Sequence, residues 1–179
     1  TIKESFNVTG LPTTWGVSKY RDNIAKTDAV LVQKFRAAGA LIFGKTNVPR
    51  YLADWQSFND IYGTTNNPWN LALSPGGSSG GAAAALAAGL TALEFGSDIG
   101  ASIRNPAHYC GVYGHKPTYR VVCDRGEALP GMVTDSDISV VGPLARSAHD
   151  LSFALNLAAG SVGPEARGWH LKLPEPKKD

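Results

Sequence analysis

Residues 74–90 read SPGGSSGGAAAALAAGL: two adjacent hydroxyls bracketed by paired glycines, running straight into polyalanine. A flexible Gly/Ser linker would continue polar, whereas small apolar residues able to pack tightly follow here. Glycines in an ordered loop instead let the backbone take conformations closed to other residues. The stretch therefore reads as a structured turn presenting Ser78 and Ser79, followed by a small-residue helix over 82–88 that Gly89 ends.

Periodicity extends this reading outward. KTDAVLVQKFRAAGA (26–40) has Thr27 or Asp28 placed as an N-cap, Gly39 as a stop, and an apolar face of Val30, Leu31, Phe35 and Ala38. ALIF (40–43) reads as a short buried strand, and TALEF (91–95) as another. From Asn59 to Pro75 the chain is rich in Asn, Gly and Pro, so a loop is expected. In SAHDLSFALNLAAG (147–160), Ser147 and Asp150 have capping-box spacing before a helical pattern that Gly160 ends. Strands alternating with helices predict an α/β layered domain, with no internal repeat and no linker before Ser161.

Composition narrows the function classes. The 179 residues suffice for one domain with a real core, and 43% hydrophobic with 18% charged residues is ordinary for a globular protein. A net charge of +2, with its basic residues scattered, argues against a nucleic-acid partner. No apolar run approaches the roughly 18 residues of a membrane span. Two cysteines, Cys110 and Cys123, imply no disulfide framework and favour a reducing, cytoplasmic setting. A start without Met and the polar tail LPEPKKD read as a piece of something longer.

Two motifs match by letter and less well by physics. GALIFGKT (39–46) fits the phosphate-loop pattern, but such a loop needs its strand before the first glycine. Here Gly39 ends a helix and the intervening residues favour the strand themselves. The pattern G-x-S-x-G occurs twice, centred on Ser78 and Ser79, as in the nucleophile elbow of Ser-His-Asp hydrolases. The preceding NNPWNLALSP is a poor strand, and Asp98, His108, His115 and His149 stand in no compelling context for a triad. That hydrolase remains the second reading.

Taken together, PGGSSGGAAAALAAGL and GSDIGASIRNPAHYCGVYGHKPT (96–118) resemble the amidase signature family, in the family's order and at its spacing. TIKES (1–5), GKTN (44–47) and NNPWN (66–70) fit as well, so the similarity runs from Lys3 to about Gly160. The resemblance implies a mixed β-sheet core covered by helices. Residues 1–160 would be the core of a single domain incomplete at both ends, and 161–179 a polar tail. Surfaces left uncovered by truncation would favour self-association.

The resemblance also implies a chemistry. Ser102 would be the nucleophile, Ser78 the bridging serine after a cis peptide bond from Gly77, and Lys3 the terminal base. The substrate would be a small-molecule amide cleaved at its C–N bond, with no metal or cofactor. A serine hydroxyl needs a neighbour to take its proton, and a lysine must be neutral to accept one. Moving Lys3 from about 10.4 to about 8 requires roughly 3 kcal/mol of bias against its charge, so TIKES should be buried.

The backbone N–H groups of Ile99, Gly100 and Ala101 resemble the family's oxyanion hole, where each donor can be worth about 3–4 kcal/mol. Alanine at 101 stands where glycine is more usual and would be uncomfortable at positive φ. Glu4 replaces the more usual Asp, and Arg50 stands near the place of a family glutamate. Asp98 and Arg104 read as a structural ion pair, Cys110 as packing, and Trp55 as a wall of the acyl pocket. A non-catalytic fragment, or one component of an amidotransferase assembly, is a further alternative. TDSDISVVGP (134–143) replaces the SSLDQ-like segment usual in amidotransferase chains and argues against that branch.

Overall fold

The chain opens with β1 (Ile2–Lys3), whose backbone runs parallel to β2 (Lys45–Thr46), with Lys3 opposite Thr46. Between them lies α1 (Val30–Ala37). A hairpin of β3 (Phe58–Asn59) and β4 (Gly63–Thr64) interrupts the loop predicted over 59–75. Then come α2 (Gly80–Ala87), β5 (Leu93–Asp98), α3 (Arg104–Cys110), β6 (Tyr113–Gly114), β7 (Val140–Ala145) and α4 (Ala148–Ala158). Strands β5 and β6 flank β7, both antiparallel to it. This computed structural model describes residues 1–168 apart from Val133 and Asp135, together with Lys172. A 3-10 turn over Gly163–Arg167 falls in the expected tail, most of whose remainder lies outside the described residues.

The α/β reading holds, with helices on both faces of the β5–β7 ribbon. Because side chains alternate along a strand, Val141 and Leu144 of β7 serve different faces. On one face Phe95 and Val141 pack with Leu31, Val32 and Phe35 of α1 and with Ala154 and Ala158 of α4. Phe35 meets Phe95 edge-on at 4.9 Å between ring centroids. On the other, Leu144 packs with Ala82, Ala83 and Leu86 of α2 and with Ile103, Ala107 and Cys110 of α3. The alanines of α2 let that helix sit close to the sheet.

The predicted ALIF strand does not form. Leu41 and Phe43 are 86% and 66% exposed, and the strand comes two residues later. There the backbone finds β1: Ile2 N–H donates to Gly44 O and Glu4 N–H to Thr46 O. Local hydrophobicity loses to the available pairing partner. The N-cap of α1 is Ala29 rather than Thr27 or Asp28. The Asp28 carboxylate is used elsewhere, accepting from Thr9 N–H at 2.7 Å and pairing with Arg36 at 2.8 Å. The cap of α4 is as predicted, with Asp150 N–H donating to Ser147 Oγ at 3.0 Å.

Gly96 faces α2, and a Cβ there would run into the Ser79 hydroxyl and Cβ. Gly96→Ala should therefore lower stability by about 1–3 kcal/mol. The measurement is the urea midpoint at unchanged m-value. An unaltered midpoint would mean that α2 moves outward freely and that the close approach is not required.

Candidate active site

Lys3 is fully buried, as its expected role requires. Its Nζ donates to Ser78 Oγ at 2.7 Å, to Ser97 Oγ at 2.8 Å and, more weakly, to Ser97 O at 3.4 Å. Burial pushes its pKa down to about 8 against the opposing pull of Glu127 and Asp98. Glu4 anchors the segment after β1, accepting from Thr14 N–H, Thr14 Oγ1 and Trp15 N–H at 2.6, 2.8 and 2.9 Å. The longer Glu side chain spans to that loop while Lys3 points the other way along the alternating strand.

The paired serines sit at the start of α2, and the Gly77–Ser78 peptide bond is cis. Ser79 occupies the N-cap position without capping; its hydroxyl points to Ser97 O at 3.5 Å. Its N–H donates to Ser102 O at 3.1 Å, which lashes the serine turn to the loop after β5. Ser78 and Ser102 line one cleft of about 980 Å³, together with Ser97, Ile99, Gly100 and Glu127. The hydroxyls expected to act in sequence thus share one space although they lie far apart in the chain.

Asp98 organises the loop that carries Ser102. Its Oδ1 accepts from Ala101 N–H at 2.9 Å and its Oδ2 from Ile103 N–H at 3.0 Å. The expected pair with Arg104 is present as a two-pronged bond, each prong 3.0 Å. Burial works to raise the Asp98 pKa, but the bonds from Arg104, Ile103 and Ala101 outweigh it and hold the carboxyl below the usual range. Ala101 has φ 78°, the left-handed conformation that favours glycine. Its N–H is donated to Asp98, so in this geometry Ile99 and Gly100 are the expected oxyanion residues that line the cleft.

A family model described as amidase matches residues 1–168. The chain belongs to the amidase family. It is 42% identical to human fatty-acid amide hydrolase 2 over 160 residues, which is 89% of this chain and 30% of that protein. It is also 42% identical to a glutamyl-tRNA(Gln) amidotransferase component of Deinococcus radiodurans, covering 89% of this chain and 32% of that one. Among solved structures, 6-aminohexanoate cyclic dimer hydrolase in complex with substrate superposes with a TM-score of 0.84 at 33% identity, over 98% of this chain and 36% of that chain. The chain spans about a third of the length of the curated relatives it matches.

The other candidates sort by position. Trp55 lines the same cleft as Ser102, and its Nε1–H donates to Gly100 O at 3.1 Å. Cys110 is buried with its pKa pushed up to about 11 by desolvation, as an inert packing thiol would be. No described histidine lines the cleft, and His149 instead lies beside Asp150. Lys45, the phosphate-loop lysine by letter, donates to Pro12 O and Thr13 Oγ1.

Ser97 and Glu127 were not among the sequence candidates. Ser97 Oγ donates to Glu127 Oε1 at 2.5 Å, and so does Ser5 Oγ at 2.6 Å. Ser97 lies two residues beyond the strand expected over 91–95, on the part by which β5 extends to Asp98. The Glu127 segment carries no local motif.

Lys3 should titrate near pH 8, well below an ordinary lysine. The check is the ¹³Cε shift in lysine-labelled protein, assigned with Lys3→Met. Because the folded pKa is the lowered one, the ammonium is disfavoured in the fold, and the neutral amine should dominate above about pH 8. A midpoint no lower than the ordinary lysine value of about 10.4 would mean that water reaches the amine.

Proposed function

We propose that the protein hydrolyses the C–N bond of a small-molecule carboxylic amide through an acyl-enzyme on Ser102. The observation that carries this reading is the buried Lys3 amine, 2.7 Å from Ser78 Oγ in a cleft that Ser102 shares. Ser102 Oγ attacks the carbonyl carbon while its proton passes to Ser78, and the Ser78 proton passes to neutral Lys3. A C–O bond forms and the carbonyl oxygen becomes an oxyanion facing the Ile99 and Gly100 amides. When the C–N bond breaks, the leaving amine takes a proton back along the same relay. Water then attacks the acyl ester, losing its proton by that route, and releases the acid and free Ser102.

Trp55 forms one wall beside the oxyanion loop and limits the acyl group's approach. In this reading the partner is a small-molecule amide, with no nucleic acid or membrane involved. The two free cysteines favour a reducing compartment such as the cytoplasm. Exposed apolar residues such as Leu41, Phe43 and Leu90 favour self-association of this chain by itself. The amidotransferase components among the relatives support a second reading, action within an assembly.

Ser102→Ala should abolish both turnover and covalent labelling by a fluorophosphonate. Ser78→Ala should be comparably damaging, costing at least about 10²-fold, whereas Ser79→Ala should be milder. The wild-type rate should rise with pH to a midpoint near 8, as Lys3 loses its proton. Peptide mapping that places the label on Ser78 or Ser79 would overturn the assignment. Turnover of simple amides only when partner chains are added would favour the assembly reading.

A further inference from the structure

We propose that Glu127 is a positioning residue that orients the lone pair of Lys3 toward Ser78, acting through the hydroxyl of Ser97. This rests on the hydrolytic reading above and extends it to a side chain that touches neither substrate nor nucleophile in that scheme.

The orientation follows from a count of protons. Glu127 Oε1 accepts from both Ser97 Oγ and Ser5 Oγ, at 2.5 and 2.6 Å. A hydroxyl has one proton, and the Ser97 proton is committed to Glu127. Ser97 Oγ can therefore only accept from Lys3, at 2.8 Å, and Ser97 O accepts too, at 3.4 Å. A neutral amine has two N–H bonds and one lone pair. With both N–H bonds directed at Ser97, the neutral amine no longer donates to Ser78 Oγ as the ammonium does, and turns its lone pair to that hydroxyl, 2.7 Å away, instead. That is the arrangement a base needs. If Ser97 were free to turn its proton toward Lys3, the lone pair could be occupied and Ser78 would face an N–H instead. As a carboxylate Glu127 both accepts the two protons at Oε1 and sets its charge beside Lys3.

The fold holds Glu127 in place for this. Asn7 N–H donates to Gly126 O at 2.8 Å and Val30 N–H to Arg125 O at 3.0 Å, so the segment is strapped down on both sides. Gly126, at φ 95°, lies so close to Ala29 that a Cβ would meet its backbone. The carboxylate has a second effect once the proton arrives. Its charge favours the ammonium, so it opposes the desolvation that lowers the Lys3 pKa. Burial in turn pushes the Glu127 pKa up, offset in part by Lys3 and the two hydroxyls.

Other charges nearby are occupied. Asp98 on β5 is bound to Arg104, and Glu94 on β5 to Thr1. Glu4 accepts from Thr14 and Trp15, and Lys45 on β2 donates to Pro12 and Thr13. Asp124, on the same segment as Glu127, works to raise the Glu127 pKa.

Glu127→Gln and Glu127→Leu separate the charge from the orientation. The amide oxygen of Gln can still accept both hydroxyls, whereas Leu can accept neither. In the protein at its native length, two quantities are followed against pH: the ¹³Cε shift of Lys3 and the rate of fluorophosphonate labelling at Ser102. In both variants the Lys3 midpoint should move down by roughly one pH unit, because a favourable charge is gone. The plateau labelling rate should fall by about threefold for Gln and by about a hundredfold for Leu. An unmoved Lys3 midpoint in the Gln variant, or a Leu plateau equal to that of Gln, overturns the proposal. If wild-type Ser102 does not label at all, the hydrolytic reading fails, and the Lys3 midpoints still decide whether Glu127 acts on the lysine. If the Leu variant does not fold, Ser97→Ala, which removes the hydroxyl through which Glu127 acts, carries the test. Its labelling plateau should fall well below that of Gln, and a plateau at the wild-type level overturns the proposal.

Discussion

A lysine amine held out of water is the constraint on which the rest of this structure depends. An ammonium left bare in that position would be expensive, and the chain meets the cost with three acceptors, Ser78 Oγ, Ser97 Oγ and Ser97 O. Each acceptor comes from an element that must be brought to β1 over a long stretch of chain. The parallel pairing of β1 with β2, the packing of β5 beside β1 and the start of α2 are therefore conditions for one another. The same burial that demands these partners lowers the amine's pKa to about 8, so that above that pH it is neutral and free to accept a proton.

Close approach is the second requirement, and side-chain size controls it. Gly96 leaves room for Ser79 against β5, and Gly81 leaves room for the backbone of Asn47. Alanines along α2 then close the layer onto Leu144 and Ile103. The glycine-serine stretch thus admits the backbone to places where a side chain would not fit. At Ala101 the loop takes a glycine-like conformation without a glycine, and there Asp98 accepts the N–H and Arg104 steadies Asp98.

What could be read from the sequence follows the range of the interactions concerned. The helix after the serines, the Ser147 cap and the Asp98–Arg104 pair rest on residues near one another in the chain, and their patterns are local. ALIF misleads because strand formation is decided by the pairing partner, and β1 offers its backbone to Lys45 and Thr46 instead. Asp28 misleads because a tertiary bond to Thr9 and a pair with Arg36 outweigh the cap. The three expected triad positions are legible as a resemblance only, since nothing local to TIKES marks its lysine as buried. Glu127 is illegible for the same reason, as its partners, Ser5 and Ser97, lie 122 and 30 residues away.

The cleft separates what is fixed from what can vary. Its floor is made of Ser78, Ser97, Ser102 and the loop after β5, all tied into strands or helix starts by backbone bonds. Its walls come from irregular segments, the turn around Tyr51, Leu52 and Trp55, and Asp124 to Leu129 with Met132, Thr134, Ser136 and Ser139. Tyr51 and Leu52 both have φ 58°, a conformation the local sequence does not favour and the surrounding contacts must hold. Altering such walls changes the shape offered to a ligand without disturbing the hydrogen bonds around Lys3. Glu127 is the exception, because it lines the cleft and is bonded to the floor through Ser97. A change at that wall position therefore reaches the amine itself, which makes it the point where the shape of the cleft and the state of the base are coupled.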